Sequence, residues 1–350
     1  MTNCMVVGYY GFSNFGDDLF VASLDELLNK YDLKVSFLSK PIDGLSANYL
    51  IPKWIPNHLY RNQGIVGALF RALIFLIHVR KIDVLVSGGG SVFEITGGLR
   101  MPLLITFIKR IFNFQWIAVG VSLPSDGETS KSLKKVLNSI DYLAVRDRIS
   151  LSIAKKIKGN NGFVSYSGDI ASIPLSKWHR SDSWKDSVIG LCISNDIGEQ
   201  ELKQLLGQKS FFLSHKSVVI LIANPVDVDI SLSVNKHLIN MGVKTSVVKY
   251  SNMKDFLRVI SQCFCVVTSR FHIAFSAYMM GIPFILNEHH EKCTSFRNDV
   301  KHTKSFRSFV TNGSLSNLGG QKTVSPDYYY QCTKESLNTL LHIALKVDGK

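Results

Sequence analysis

Residues 268–292 read TSRFHIAFSAYMMGIPFILNEHHEK. They follow a short apolar run, Cys263 to Val267, that predicts a buried strand. The pattern then turns helical, halts at Gly281-Ile282-Pro283 and resumes as a second short apolar run. Strand, helix, strand is the unit from which parallel sheets are built. Arg270 and His272 fall between the strand and the helix. Open amides and the dipole at a helix N-terminus favour an anion there, and an arginine adds a bidentate fork. A lone histidine at a helix start is commonly structural. An arginine two positions before it, at the edge where such folds take ligands, favours a functional role for both.

Outward from this stretch the same alternation repeats. Before it come strand 188–193, a helix near 197–207, strand 217–222, a helix near 229–240, strand 243–249 and helix 252–260. Towards the amino terminus, Cys4 to Tyr10 is strand-like, and residues 17–30 carry helical spacing through Leu19, Phe20, Leu24, Leu27 and Leu28. Further strands are expected at 33–38, 82–86, 115–121, 142–145 and 163–166, with helices near 64–80, 98–112, 130–139 and 333–347. Residues 39–63 lack a period and predict a loop facing a substrate; 312–326 is also loop-like. Ser176 to Asp186 (SKWHRSDSWKD) is polar and aperiodic, and divides the two runs. The expected class is α/β, with two Rossmann-like domains facing a cleft. They would occupy residues 1–175 and 187–330, joined by a linker over 176–186 and followed by a C-terminal helix and tail over 331–350. Ligands gather at the carboxyl ends of the strands in such sheets.

A chain of 350 residues suits two domains of about 150 residues each. With 46% hydrophobic and 19% charged residues it is globular, not disordered. A net charge of +13 favours anionic partners: phosphorylated substrates, acidic lipid or nucleic acid. The six cysteines are scattered without metal-ligand spacing, and a reduced, cytoplasmic compartment fits them. The chain enters a strand pattern at once, without the pattern of a secretory leader. Gly67 to Val79 is short for a membrane span and holds Arg71; Pro102 to Val121 is cut by Lys109 and Arg110. A span needs about 20 mostly apolar residues, so both predict buried helix and strand. Reversible, salt-sensitive adhesion to anionic bilayers is the most that this pattern allows.

Three other stretches carry candidate residues. Gly8 to Asp18 (GYYGFSNFGDD) lies between the first strand and the first helix. Its glycines, Gly11 among them, admit positive φ and the close approach of a phosphate or sugar; the plain alternative is a helix-capping turn with Asp17 or Asp18 as cap. In SGGGS, the amides of Gly88, Gly89, Gly90 and Ser91 can form an anion-binding concavity after a buried strand. The alternative is a tight turn that lets helix and strand pack. Lining a site is preferred, because three glycines weaken local order without an evident packing gain. Glu94 is a nearby acid or base candidate. Arg146 stands at a strand's carboxyl end before Asp147, where a surface ion pair would contribute little. Asp169 is similarly placed after the next strand, as a ligand contact or a turn residue.

The SRFH-x10-P-x8-K arrangement, from Ser269 through Pro283 to Lys292, resembles the C-terminal signature of the polysaccharide pyruvyl transferases. GYYGFSNFGDD resembles that family's opening glycine-rich turn, and SGGGS its central triple glycine, so the three bracket residues 8–292. The resemblance implies the glycosyltransferase-B architecture. It also implies an enzyme that moves a pyruvyl group from phosphoenolpyruvate, as a ketal, onto a sugar of a surface or extracellular polysaccharide precursor. Arg270 and Arg146 would clamp the donor's anions, His272 would bind the phosphate and act as an acid, and Lys292 would reach a phosphate. Asn14 and Asp18 would face the acceptor, Asp18 as general base. No metal and no cofactor beyond the co-substrate are expected, since arginines can stabilise the charge. The acceptor would be lipid-linked or nucleotide-linked. The enzyme would be cytoplasmic, at most peripheral at the inner face of the membrane, and would bind no nucleic acid. His289 replaces the aromatic residue that the family usually shows three positions before its lysine, which bears on acceptor choice. Two readings compete: a nucleotide-sugar-dependent glycosyltransferase of the same fold, and a non-catalytic basic module that binds anionic polymer or membrane.

Overall fold

Each run of alternation closes into a wholly parallel sheet. The computed structural model describes residues 2–60, 64–93, 100–125, 130–159, 162–181, 188–215, 217–301, 306, 309 and 324–346. The chain divides into two compact units, one comprising residues 1–12, 17–174 and 330–350, the other residues 13–16 and 175–329. The boundary near 175 lies one residue before the polar stretch at 176–186, of which residues 182–186 lie outside the described residues.

The first unit holds β1 (Thr2–Val7), β2 (Leu33–Phe37), β3 (Val84–Gly90), β4 (Gln115–Val121), β5 (Tyr142–Val145) and β6 (Phe163–Tyr166), in the order β2-β1-β3-β4-β5-β6. Its strands are apolar nearly throughout because helices cover both faces. The helices of this part of the chain are α1 (Phe15–Leu28), α2 (Asn57–Tyr60), α3 (Ile65–Val79), α4 (Arg100–Ile108), α5 (Lys131–Ser139), α6 (Arg148–Lys158) and α7 (Ser172–Leu175). Met5, Leu85, Trp116 and Leu143 from the sheet pack with Phe75, Ile105, Leu133 and Ile153 from the helices. The sheet's winding reverses between β1 and β3.

The second unit holds β7 (Val188–Cys192), β8 (Ser217–Ile222), β9 (Thr245–Lys249), β10 (Cys265–Thr268) and β11 (Phe284–Leu286), in the order β11-β10-β7-β8-β9. Its winding reverses between β7 and β10. The remaining helices are α8 (Glu199–Leu206), α9 (Lys209–Leu213), α10 (Val228–Asn240), α11 (Met253–Ser261), α12 (Phe271–Met279), α13 (Glu291–Asp299) and α14 (Pro326–Lys346). Leu191, Ile220, Val267 and Ile285 meet Leu205, Val234 and Leu238 in its core. The last helix passes from the second unit to the first after Tyr329.

Four expectations are corrected. SGGGS is not a turn beyond a strand: β3 runs through Gly90, which pairs with Val121. Residues 148–158, for which the sequence predicts no helix, form α6 directly after Arg146 and Asp147. Asp147 caps α6 by accepting from the Ser150 amide at 2.8 Å, and Gly159 ends it at φ +53°. The terminal helix begins at Pro326, seven residues before position 333, because proline suits a helix's first turn. Finally, α3 is not a buried helix. Leu69 is 65% exposed and Leu73 56% exposed, although Phe75 and Val79 are in the core.

Candidate functional site

The reversal between β7 and β10 puts the loops after both strands side by side at the carboxyl edge of the second sheet, where open α/β sheets bind ligands. After β8, the Asn224 side chain accepts from the Val226 amide at 3.2 Å, and a 3-10 turn over Pro225–Asp227 carries Asp227 inward to zero exposure. After β10, Thr268 Oγ1 accepts from the Arg270 amide at 2.8 Å and sets Arg270 as N-cap of α12 in an extended conformation. Arg270 Nε donates to Asp227 Oδ2 at 2.8 Å, and its Nη2 donates to Oδ1. Asp227 Oδ1 also accepts from the Asn195 amide at 3.0 Å.

This pair has a clear electrostatic logic. Burial alone disfavours the Arg270 charge, but Asp227 outweighs it and raises the guanidinium's pKa. The carboxylate needs a cation because it has no water to solvate it. Arg270 is 24% exposed. Its Nε edge is committed to Asp227, so the opposite, Nη1 edge is the one left for an incoming anion. The α12 N-terminus beneath it adds dipole of the same sign.

Beside this pair, Asp196 accepts from two consecutive histidines, His289 Nε2 at 3.2 Å and His290 Nε2 at 2.7 Å. Burial raises the Asp196 carboxyl, but the Ser194 hydroxyl, His290, His289 and Arg270 together hold it far below its ordinary range. Burial also lowers His290, aided by His289 and Lys292 against the pull of Asp196. Among the described residues these three side chains form the group with cation-ligand spacing. Metal-bound histidines usually donate their second ring nitrogen to a partner, whereas His289 Nδ1 is buried without one. The trio is therefore better suited to accepting a ligand's donor than to holding an ion.

His272 sits in the first turn of α12. Residues 13–16 of the opening glycine-rich stretch belong to this unit, not to the one that contains the rest of that stretch. Phe15 is the anchor: its amide donates to Ala223 O at 3.0 Å, and its ring packs on Tyr250 and Phe256. Gly16 then lies against His272, so close that a Cβ there would overlap the imidazole at Nδ1. Asn14, whose Oδ1 accepts from the Gly16 amide at 3.3 Å, comes with it. Arg270, His272 and Asn14 are thus all placed in one unit by two distant sequence motifs.

The other candidates lie in the first unit and are engaged differently. Asp18 is buried, and its Oδ1 accepts from the Gly11 amide at 3.4 Å, closing the turn at Gly11, where φ is +75°. Gly88 and Gly89 have the packing reason that the sequence concealed. Cβ atoms there would overlap Leu24 and Phe20 of α1, and Gly89 has φ +71°. Gly90 is also left-handed, at φ +73°, and Ser91 follows it. The Arg146 ion pair is not on the surface and not with Asp147. Arg146 is buried and meets buried Asp169 at 3.4 Å, while Asp169 Oδ1 accepts from the Ala171 amide. Lys292 is half-buried in α13, close enough to His290 to lower its pKa. Glu94 lies outside the described residues.

The sequence profile of the polysaccharide pyruvyl transferases matches residues 14–290. The chain belongs to that family. The match takes in Asn14, Arg146 and the Arg270–His272 pair, and stops two residues before Lys292. No curated protein is similar in sequence. In structure the chain is similar to the UDP-N-acetylglucosamine 2-epimerase of Rickettsia bellii, with TM-score 0.67, 10% identity, and 99% of this chain and 96% of that one covered. It is also similar to the Methanocaldococcus jannaschii UDP-GlcNAc 2-epimerase in complex with UDP-GlcNAc and UDP, with TM-score 0.59, 11% identity, and 98% and 100% covered. A lipopolysaccharide outer core galactosyltransferase, WaaB, gives TM-score 0.54, 11% identity, and 99% and 98% covered. At such identities the likeness is one of fold: two parallel-sheet α/β domains of the glycosyltransferase-B type.

Asp227, Asp196 and His290 are candidate-site residues that sequence reasoning missed. Asp227 and Asp196 lie just past the predicted carboxyl ends of β8 and β7, and that position was the available signal.

Proposed function

We propose that this member of the family transfers the pyruvyl group of phosphoenolpyruvate to two hydroxyls of one sugar in a polysaccharide precursor, and releases phosphate. What supports this most is Arg270, a guanidinium aimed by buried Asp227 and seated at the N-terminus of α12 beside His272. The donor bears a carboxylate and a phosphate, and this is a site for an anion.

The chemistry follows from the donor. A proton is added to the methylene carbon, leaving the adjacent carbon electrophilic. The first sugar hydroxyl bonds there and gives up its proton. The bond from that carbon to the phosphate oxygen then breaks, and the second hydroxyl takes its place, so the ketal forms while its proton leaves with phosphate. Of the two hydroxyl protons, one balances the new methyl group and one the phosphate. Arg270 holds the donor's charge, His272 protonates the departing phosphate, and Asp18 is the base for the acceptor. Lys292 adds a donor contact and Asn14 faces the acceptor, while Arg146, assigned to the donor by the family resemblance alone, lies in the first unit, buried against Asp169. The free cysteines, five buried and one half-buried, accord with a reducing cytoplasm, and the acceptor is a lipid-linked or nucleotide-linked sugar.

Incubation with phosphoenolpyruvate and a panel of such sugars, read by mass spectrometry and phosphate release, is the test. His272→Ala should lower kcat more than it weakens donor binding, by about a hundredfold or more. Tight binding of a UDP-sugar with no affinity for phosphoenolpyruvate would replace this proposal with a nucleotide-sugar glycosyltransferase.

A further inference from the structure

α3 carries its apolar side chains on the wrong side for a core helix. Ile65, Val66, Leu69, Leu73, Leu76 and Ile77 are all exposed. At about 100° per residue they fall within one arc of about 120°. The residues that α3 buries, Gly67, Phe75 and Val79, lie on the opposite arc. The helix is therefore fastened by one face and offers a second apolar face outward. Exposed Phe107 at the end of α4 and Ile111 just beyond it add to the apolar surface, in a helix that packs beside α3. Six exposed apolar side chains gathered on one arc of one helix are the pattern that marks an interaction site.

Within the two helical segments the charge has one sign, and the nearest acids, Asp83 and Asp141, are engaged with the Asn3 amide and Lys109. Residues 64–82 and 97–114 contain no Asp or Glu. Lys109 is engaged with Asp141, and Arg71 donates to Tyr60 O at 2.6 Å, so neither is available. Arg80, Lys81 and Arg110 are exposed at the ends of α3 and α4. Arg80 falls near the middle of the apolar arc just past the last turn of α3, with its guanidinium 5.9 Å from the Phe112 ring, and Lys81 lies beside the arc, so these two cations sit at one end of the apolar face.

We propose that this face of α3, with the end of α4, binds the surface of an anionic lipid bilayer. The apolar arc would enter the headgroup–acyl boundary, and Arg80, Lys81 and Arg110 would meet phosphate headgroups. α3 has 15 residues, and no helix among the described residues is long and apolar enough to cross a membrane, so α3 lies in the plane of the surface. A second copy of the chain is a poorer occupant. A two-fold contact would set the same cations against their own equivalents, with no acidic residue in either segment to neutralise them. This surface is independent of the donor and acceptor proposed above.

The full chain would be sedimented with sucrose-loaded vesicles of phosphatidylcholine, with and without phosphatidylglycerol, at low and high salt. Binding is expected on phosphatidylglycerol vesicles and should weaken as salt rises. Leu69→Glu with Leu73→Glu should lower it by about tenfold or more. Arg80→Glu with Lys81→Glu, which leaves every apolar contact in place, should lower it by about tenfold at low salt and much less at high salt. Circular dichroism would establish that both variants are folded. No binding to phosphatidylglycerol vesicles at low salt, or undiminished binding by both variants, overturns the proposal. So does sedimentation equilibrium showing a dimer that Leu69→Glu with Leu73→Glu dissociates.

Discussion

The two sheets of this protein have the same topology around their reversal points and fill the carboxyl edge there in opposite ways. In the first unit, Gly88 and Gly89 give up their side chains so that Leu24 and Phe20 of α1 can lie on the strand. In the second, Arg270 from the loop after β10 meets Asp227 from the loop after β8, with Asp196, His289 and His290 alongside. One edge is closed by packing and the other is kept polar by charge. A glycine run at a strand's end is therefore ambiguous between a cradle and a contact. A fully buried carboxylate is less so, because it must have a partner and thereby fixes where that partner points.

The largest expected effect comes from removing the better-solvated partner of the charged edge, which strands the buried one. Arg270→Ala leaves Asp227 buried and unpaired, and should cost about 3–5 kcal/mol of stability in urea unfolding besides donor affinity. Asp227→Asn leaves the guanidinium with access to solvent and should cost less, about 1–2 kcal/mol. Equal losses for the two would mean that the pair is not as asymmetric as its burial indicates.

The packed edge should respond to added volume instead. Gly89→Ala places a methyl on Phe20 and forces a left-handed backbone on alanine, which should cost about 2–3 kcal/mol. Part of that should return when Phe20→Leu is added, and a double-mutant cycle measures it. If Gly89→Ala is as stable as the parent, the packing account of the triple glycine fails.

Gly16 sharpens the contrast, since its missing Cβ faces His272 and its φ is not left-handed. Gly16→Ala should turn the imidazole aside and lower kcat by about tenfold, at a stability cost of about 1 kcal/mol, because the half-buried His272 side chain can swing away. A stability loss as large as that of Gly89→Ala would make Gly16 another packing glycine. The smallest effect concerns thiols. Cys4, Cys192 and Cys263 are pushed up to about 12 by burial, so at neutral pH they stay protonated and poorly nucleophilic. Maleimide labelling of the native chain should reach half-buried Cys332 first; prompt labelling of Cys192 would show that the second edge opens readily.

Much of the architecture was legible because parallel strands are apolar along their whole length. β4 and β8 follow the predicted limits to the residue, as do β5 and β6. α6 was hidden by its charged start, where Arg146 and Arg148 flank the cap residue Asp147. The site was legible only where its residues come in a local motif, as Arg270 and His272 do. Asp227 and Asp196 belong to other loops, 43 and 74 positions from Arg270 in sequence. Only the strand order of the second sheet assembles them. The role of the triple glycine was illegible for a related reason: the side chains that need the space, Phe20 and Leu24, lie more than sixty positions away.

The last helix sets the order in which this protein can be completed during synthesis. Ser336 Oγ donates to Tyr166 O, and Tyr31 OH donates to Asn338 O at 3.5 Å, so α14 supplies the final pieces of a unit begun at the amino terminus. Roughly 170 residues separate Tyr166 from these partners, which at ordinary translation speeds is on the order of ten seconds. Throughout that interval the ribosome holds a nascent first unit with its closing helix still unmade. The chain cannot be delivered as two independent cassettes, and the quality of the first half is decided by the arrival of the last.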